Sequence, residues 1–324
     1  MLETLNNPIL SVADLTLHYL TRQGEVKAVD GVSFDLARGQ VLGLVGESGC
    51  GKTSVAISLM KLLPDNARLI SGRVSLEGRD LLSMGEDELR RFRGHRISMI
   101  FQAAMNSLDP VYRVGDQIME ALGAHEQDRN RHESKDKVAQ LFRMVGLDTG
   151  LMSRYPHEYS GGMRQRAVIA MALACEPDIV IADEPTTALD VIVQDRILQA
   201  LKDIRRNSNM SMIYITHDMG VVAEVADHVG VMYAGKLVEY GETHEVFSRP
   251  IHPYTAFLTS AFPSIRGDKH PLVSLPGEPP DLIDPPQGCR FHPRCPSATE
   301  VCAREEPPTV ARGDHWAICW NPLQ

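Results

Sequence analysis

The sequence predicts an α/β fold with an antiparallel β subdomain near its start, an inserted helical subdomain, and an irregular, cysteine-rich C-terminal extension. Three observations carry this. Short, uninterrupted apolar runs such as "QVLGLVG" (Gln40 to Gly46), "DIVIAD" (Asp178 to Asp183) and "MSMIYITHD" (Met210 to Asp218) read as strands buried on both faces, as in parallel sheets. Helix-forming stretches lie between them, which indicates strands alternating with helices. The segment ahead of them instead alternates apolar and polar residues, the pattern of antiparallel strands.

From Ile9 to Leu36, "LSVADLTLHYL" and "AVDGVSFDLARG" alternate in this way, with turns expected near Gly24 and Gly39. After the first apolar run, "KTSVAISLMKLLP" (Lys52 to Pro64) has helical apolar spacing and a terminal proline. Residues from about Glu86 to Tyr159 are mostly polar and helix-forming, which predicts the helical layer. "GMRQRAVIAMALA" (Gly162 to Ala174) predicts a further helix leading into the strand at Asp178. Beyond Arg249 the composition shifts, and nine prolines between Pro276 and Pro308 predict a stretch that is neither helix nor sheet. The expected division is a domain over residues 8–260, with its helical part at about 86–162, and an extension over 261–324.

A length of 324 residues with 43% hydrophobic composition suffices for one large domain and an appendage. The formal charge of -9, without a Lys/Arg block, argues against duplex nucleic acid or anionic lipid as the main partner. The N-terminal "MLETLNNPIL" lacks the layout of a signal peptide, and runs such as "VIAMALAC" (Val168 to Cys175) fall short of the ~20 residues of a bilayer span. A cytosolic chain is expected, with any membrane role exerted through partners. In such a compartment clustered cysteines are more often metal ligands than disulfides.

"GESGCGKT" (Gly46 to Thr53) fits a phosphate-binding loop between a strand and a helix. The backbone N–H groups of Gly46, Glu47, Ser48, Gly49, Cys50 and Gly51 are expected to curl around phosphates, and the helix start at Lys52, Thr53 and Ser54 adds a favourable dipole. Lys52 supplies positive charge and the Thr53 hydroxyl suits Mg²⁺. In "YSGGMRQR" (Tyr159 to Arg166), Ser160, Gly161 and Gly162 open a helix, which makes either a second anion-binding end or a plain helix cap. "IVIADEPTTALD" (Ile179 to Asp190) puts two acids at a strand end: Asp183 suits Mg²⁺ through a water, and Glu184 suits a general base aimed at an attacking water.

In that order, from about Ile9 to Ser260, these motifs resemble the nucleotide-binding subunit of an ATP-binding cassette (ABC) transporter, a phosphate-loop ATPase. The resemblance implies that Gln102 in "MIFQ" contacts Mg²⁺ and the transmembrane partner, that Asp190 bridges two ATPase subunits, and that His217 in "YITHD" touches the γ-phosphate. It also implies that Tyr19 stacks on adenine. Met163 replaces the more frequent glutamine, and Cys50 a common serine; neither removes a catalytic group. Two subunits packed head to tail, burying two ATP molecules, are implied.

"RFRGHRISMIFQAAMNSLDPVYRVGDQI" (Arg91 to Ile118), "HPYT" (His252 to Thr255) and the proline-rich tail resemble the D-type ATPases of bacterial and archaeal oligopeptide and dipeptide importers. Ala103-Ala104 stands where many relatives carry Asp-Pro. This branch implies a heterodimer with a related F-type ATPase, two transmembrane permease subunits, an extracytoplasmic solute-binding protein, and peripheral attachment at the cytoplasmic face of the cell membrane. Nickel complexes and oligosaccharides are alternative solutes. A soluble ABC ATPase acting on nucleic acid or ribosomes is the other class, against which stand a single phosphate loop and a single signature.

Cys289, Cys295, Cys302 and Cys319 are separated by five, six and sixteen residues. That spacing lacks the close pairs of zinc modules and suits an iron–sulfur cluster better, with structural or free thiols as a third reading. The resemblance implies a 4Fe-4S cluster. Cys175 reads as core, and Cys50, beside the phosphates, as a thiol whose alkylation slows ATPase activity.

Overall fold

The computed structural model describes residues 7–102, 104–125, 130–187, 189–260 and 275–324, with only the backbone of Met105 and Asn207. Ala103 and the start of the extension, 261–274, lie outside the described residues. The chain divides into two compact units, Met1–Ser83 with Tyr214–Gln324, and Met84–Ile213.

In the first unit, alternation produces a four-stranded antiparallel sheet ordered Glu25–Leu36, Leu10–Leu20, Ala67–Leu76, Arg79–Asp80. Leu10, Leu15, Leu17, Val29, Val32 and Leu36 are its buried face. The strand Val41–Val45 is buried at every position, as its unbroken apolar run requires, and pairs in parallel with His228–Tyr233. Next comes Lys236–Glu242, antiparallel through a two-residue turn in which Ala234 and Gly235 have φ of 47° and 85°. Two successive positive φ values are what a tight hairpin of native twist needs, and Gly235 meets that need easily.

The extension is not irregular throughout. Between Pro276 and Pro308 it holds only two short 3-10 turns, His292–Arg294 and Glu300–Ala303. Past the prolines, Thr309–Arg312 and His315–Ile318 form a hairpin with Gly313 at φ 64°, and His315–Ile318 pairs antiparallel with Lys236–Glu242. This corrects the expectation for the tail: "TVARGDHWAI" carries strand-forming residues around a Gly-Asp turn once the prolines end. Trp316 stacks on Tyr240, 6.0 Å between ring centroids. Glu239, fully buried, receives the His315 imidazole at 2.7 Å and the backbone N–H groups of Ile251 and His252 at 2.7 Å each. A buried carboxylate is tolerable only when its oxygens are met in this way.

In the second unit, Ile97–Ile100 pairs in parallel with the fully buried Ile179–Asp183. The strand Ile97–Ile100 interrupts the stretch expected to be helical, and its four buried residues are too short a run to stand out among polar neighbours. The helices are Glu86–Phe92, Val114–Gly123, Arg131–Met144, Gly161–Ala172 and Val191–Ser208. Asn130 starts Arg131–Met144 with a capping box closed by Glu133. Val138, Leu141 and Phe142 form its buried stripe. Ser211–Ile215, buried throughout, is the strand within which the division between the units falls.

His252 has a consequence for stability. It is 1% exposed, its Nδ1 accepts the Tyr254 N–H at 3.0 Å, and burial lowers its pKa to about 4 against the opposing pull of Glu239. An unfolded histidine titrates near 6.5, so between about 6.5 and 4 the unfolded chain binds more protons. Stability from this group is therefore present above pH 6.5 and lost as pH falls toward 4, by ~3 kcal/mol at most. Urea unfolding at pH 7.5 and pH 5 is expected to show a smaller loss for His252→Gln than for the wild type.

Candidate nucleotide-binding site

The phosphate loop leaves Val41–Val45 at Gly46 and enters the helix Lys52–Leu59. Its curvature uses left-handed backbone: Gly46, Gly49 and Gly51 have φ of 147°, 78° and 107°. A Cβ on Gly46 would fall 2.2 Å from the Met232 carbonyl oxygen, and one on Gly51 2.2 Å from that of Ala28, so these positions exclude any side chain. Lys52, 6% exposed, donates to the carbonyls of Gly46 at 2.7 Å and Glu47 at 2.9 Å, which holds its charge against the loop. The helix start has no side-chain cap and no acid in its first turn, leaving its N–H groups and dipole for an anion. Ser48 and Thr53 are exposed. Tyr19, half-buried, donates its hydroxyl to Ser54 Oγ at 3.2 Å, so the aromatic expected at the adenine is tied to the helix start.

Cys50 is buried, with its sulfur 3.6 Å from Lys52 Nζ. Burial raises its pKa, and Lys52 only partly opposes this. The thiol is enclosed and protonated, which removes the basis for the expected sensitivity to alkylation. His217 is exposed beyond Ser211–Ile215, ahead of Asp218, which caps Met219–Val225.

In the second unit, Asp183 ends its strand 1% exposed, and Glu184 follows at φ 47°. Glu184 Oε2 accepts from Gln102 Nε2 at 3.0 Å and Thr187 Oγ1 at 2.9 Å, so two residues singled out in the sequence meet here. Ser160 caps Gly161–Ala172, its Oγ accepting from Met163 N–H at 3.3 Å. Gly162 admits Val193, whose Cγ1 would lie 2.6 Å from an added Cβ, allowing close approach of Val191–Ser208. Asp190 caps that helix, accepting from Val193 N–H at 3.0 Å. Both residues expected at a subunit interface thus have local capping roles.

Residues 29–187 match the family profile described as ABC transporter, and residues 238–302 that described as Oligopeptide/dipeptide transporter, C-terminal region. The dipeptide transport ATP-binding protein DppD of Bacillus subtilis (strain 168) is 48% identical over 316 residues, 96% of this chain and 94% of its own length. The oligopeptide transport ATP-binding protein OppD of Salmonella typhimurium (strain LT2) is 44% identical over 320 residues, 98% of this chain and 95% of its own. The chain belongs to the ATP-binding subunits of ABC transporters, in the oligopeptide/dipeptide branch. Its fold matches the dimeric ATP-binding cassette MJ0796 in a post-hydrolysis state bound to ADP and Pi, at 23% identity and a TM-score of 0.66 over 72% of this chain and 98% of the other. It also matches cbiO1 of Clostridium perfringens, at 26% identity and 0.64 over 75% and 92%.

The second matched region of this ABC subunit covers residues that sequence reasoning had tied to the family without giving them a task. In the His252-Pro253-Tyr254 stretch, His252 N–H meets Glu239, and the Tyr254 hydroxyl accepts the N–H of Glu47 in the phosphate loop at 2.9 Å. Burial holds that phenol protonated. Arg294 was missed altogether: its Nη1 and Nη2 bind the two carboxylate oxygens of Glu47 at 2.6 and 2.9 Å. Arg290 binds Asp30 and the Ala234 carbonyl. Two arginines between two cysteines in an acidic chain were the available signal.

Around the cysteines, Cys289 N–H donates to the Cys302 carbonyl at 2.8 Å, and Thr299 Oγ1 and Asn321 Nδ2 lie 3.3 and 3.5 Å from Cys302 Sγ. Burial raises the pKa of Cys289, Cys295 and Cys319, the last to about 11. Hydrogen bonds from the amides of Phe291, Ser297 and Asn321 oppose this, and the neighbouring thiols add to it: Cys319 is influenced by Cys289, Cys295 and Cys302. The four thiols thus share one neighbourhood. Yet among the described residues no group of three or more His, Cys, Asp or Glu is arranged to hold a metal ion. That arrangement favours neither a zinc ion nor an iron–sulfur cluster.

The clashes at Gly51 yield a direct expectation. Gly51→Ala places a methyl against the Ala28 carbonyl in a backbone region that alanine resists, so binding of a fluorescent ATP analogue should be lost, with destabilisation of about 3 kcal/mol in a denaturant melt.

Proposed function

We propose that this ATPase subunit binds Mg·ATP and hydrolyses it to drive import of oligopeptides or dipeptides through a membrane complex. The observation that carries the reading is the 44–48% identity, over nearly the whole chain, to dipeptide and oligopeptide transport ATP-binding proteins. Backbone N–H groups of the loop from Gly46 to Gly51, apart from that of Glu47 which Tyr254 takes, hold the phosphates with Lys52 and Ser54, and Tyr19 stacks on adenine. Thr53, Gln102 and Asp183 hold Mg²⁺, which supplies neutralisation of phosphate charge. Glu184 takes the proton of the attacking water, its carboxylate oriented by Gln102 and Thr187. His217 meets the γ-phosphate. Ser160, Gly161, Gly162 and Asp190 serve the ATP of a second subunit.

The partners are a related ATPase subunit in a heterodimer, two permease subunits and an extracytoplasmic solute-binding protein. Among the described residues no helix is long and apolar enough to cross a membrane, which supports peripheral attachment at the cytoplasmic face through the permeases. At Cys289, Cys295, Cys302 and Cys319 the reading is a 4Fe-4S cluster. It is supported by four thiols in one neighbourhood with amide donors to three of them. Such a group supplies a cross-link to a proline-rich segment with little core.

Glu184→Gln is expected to retain ATP binding and the melting curve of the parent while turnover falls below about 1%. Wild-type turnover would remove Glu184 from its role. Iron and acid-labile sulfide, assayed on protein purified without oxygen, are expected at about four each per chain. Zinc or no metal would overturn the cluster, reduce the tail to a structural appendage and leave the ATPase reading intact.

A further inference from the structure

Glu47 is fixed from three directions. Its N–H donates to Tyr254 Oη at 2.9 Å, its carboxylate is gripped by both terminal nitrogens of Arg294, and its carbonyl accepts Lys52 Nζ at 2.9 Å. Arg294 is itself immobilised. It is 7% exposed, its Nε donates to the Pro276 carbonyl at 2.8 Å, Nη1 lies 3.3 Å from Tyr233 Oη, and the guanidinium sits 5.8 Å from the Tyr233 ring centroid. On the other side of the loop, Arg290 binds Asp30 and the Ala234 carbonyl, and the adjoining Gly235 N–H donates to the Cys50 carbonyl at 2.9 Å. Both arginines stand in the interval bounded by Cys289 and Cys295.

We propose that Arg294 is a positioning residue for ATP binding: from the C-terminal extension it fixes Glu47, and through Glu47 the loop carbonyls that hold Lys52. The planar fork of arginine matches the two carboxylate oxygens at once, a geometry that lysine cannot reproduce. The extension therefore sets nucleotide affinity without touching nucleotide. This rests on the reading of Gly46 to Thr53 as the ATP site.

The test uses the full-length chain for binding of a fluorescent ATP analogue and the assembled transporter for ATPase kinetics. Arg294→Gln is expected to raise Kd and KM on the order of tenfold, with kcat unchanged, the pattern of lost uniform binding. Arg294→Lys should not restore them. Glu47→Gln combined with Arg294→Gln should cost no more than the worse single change, since both remove one interaction. Wild-type KM in Arg294→Gln, or losses that multiply in the double variant, would overturn the proposal. If Arg294→Gln fails to fold, Arg294→Lys decides the matter, and wild-type affinity there overturns the proposal. A wild-type chain that binds no ATP overturns the nucleotide reading and this one together; normal wild-type binding with an indifferent Arg294→Gln sinks this one alone.

Discussion

The buried carboxylate of Glu239 is the constraint on which the rest of the first unit depends. It lies on a core strand, with no exposed surface, and is met by the N–H groups of Ile251 and His252 and by the imidazole of His315. One side chain thereby joins three segments far apart in sequence: the strand Lys236–Glu242, the turn into the helix Pro253–Ser260, and the terminal hairpin. Oε1 takes the Ile251 N–H and the His315 imidazole and Oε2 the His252 N–H, so loss of the His252 bond would leave Oε2 buried without that partner, a far larger penalty than the loss of an exposed ion pair. The position of Tyr254, two residues from His252, follows from that anchoring. Tyr233 packs edge to face with Tyr254 and with Phe291, and Tyr254 and Phe291 are tilted against each other, with centroids 4.7 to 5.4 Å apart, so the three rings join a core strand to the extension.

A phosphate loop has a particular difficulty that this arrangement answers. Turning successive N–H groups toward an anion leaves the intervening carbonyls facing away from it, and each needs a donor. Here Lys52 serves Gly46 and Glu47, and the Gly235 N–H serves Cys50. The Glu47 N–H is taken by Tyr254. The loop is thus held from outside by the Ala234-Gly235 turn and the C-terminal region, and glycine at positions 46 and 51 lets it approach the Met232 and Ala28 carbonyls closely enough for that hold.

What the sequence disclosed and what it hid follow from the range of the interactions. The strands at Val41, Ile179 and Ser211 and the phosphate loop were legible because each is a local pattern: an unbroken apolar run, or glycines before a lysine. The hairpin His228–Glu242 was not, since its turn uses Ala-Gly and lacks the Asn-Gly or Asp-Gly that usually marks two positive φ values. The terminal hairpin was hidden by the prolines that precede it. Arg294 was beyond reach of any local reading, because its partner lies 247 residues earlier. Cys50 shows a different limit: adjacency in sequence to phosphate-binding residues says nothing of side-chain direction, and its sulfur lies against Gly46 and Lys52 inside the loop.

At the end of the strand Ile179–Asp183 the backbone itself carries information. Glu184 adopts φ 47°, a conformation that costs a non-glycine residue on the order of 1 kcal/mol and persists only where surroundings over-determine it. Those surroundings are visible: Asp183 is locked in the buried strand before it, the Pro185 carbonyl is held by the buried Gln165 at 2.6 Å, and the Glu184 carboxylate is tied to Gln102 and Thr187. With its backbone and its Oε2 both fixed, the carboxylate keeps little rotational freedom. The packed strand end, the Gln165 bond to the Pro185 carbonyl and the two donors to Oε2 together hold the Glu184 carboxylate in one place at the end of the strand.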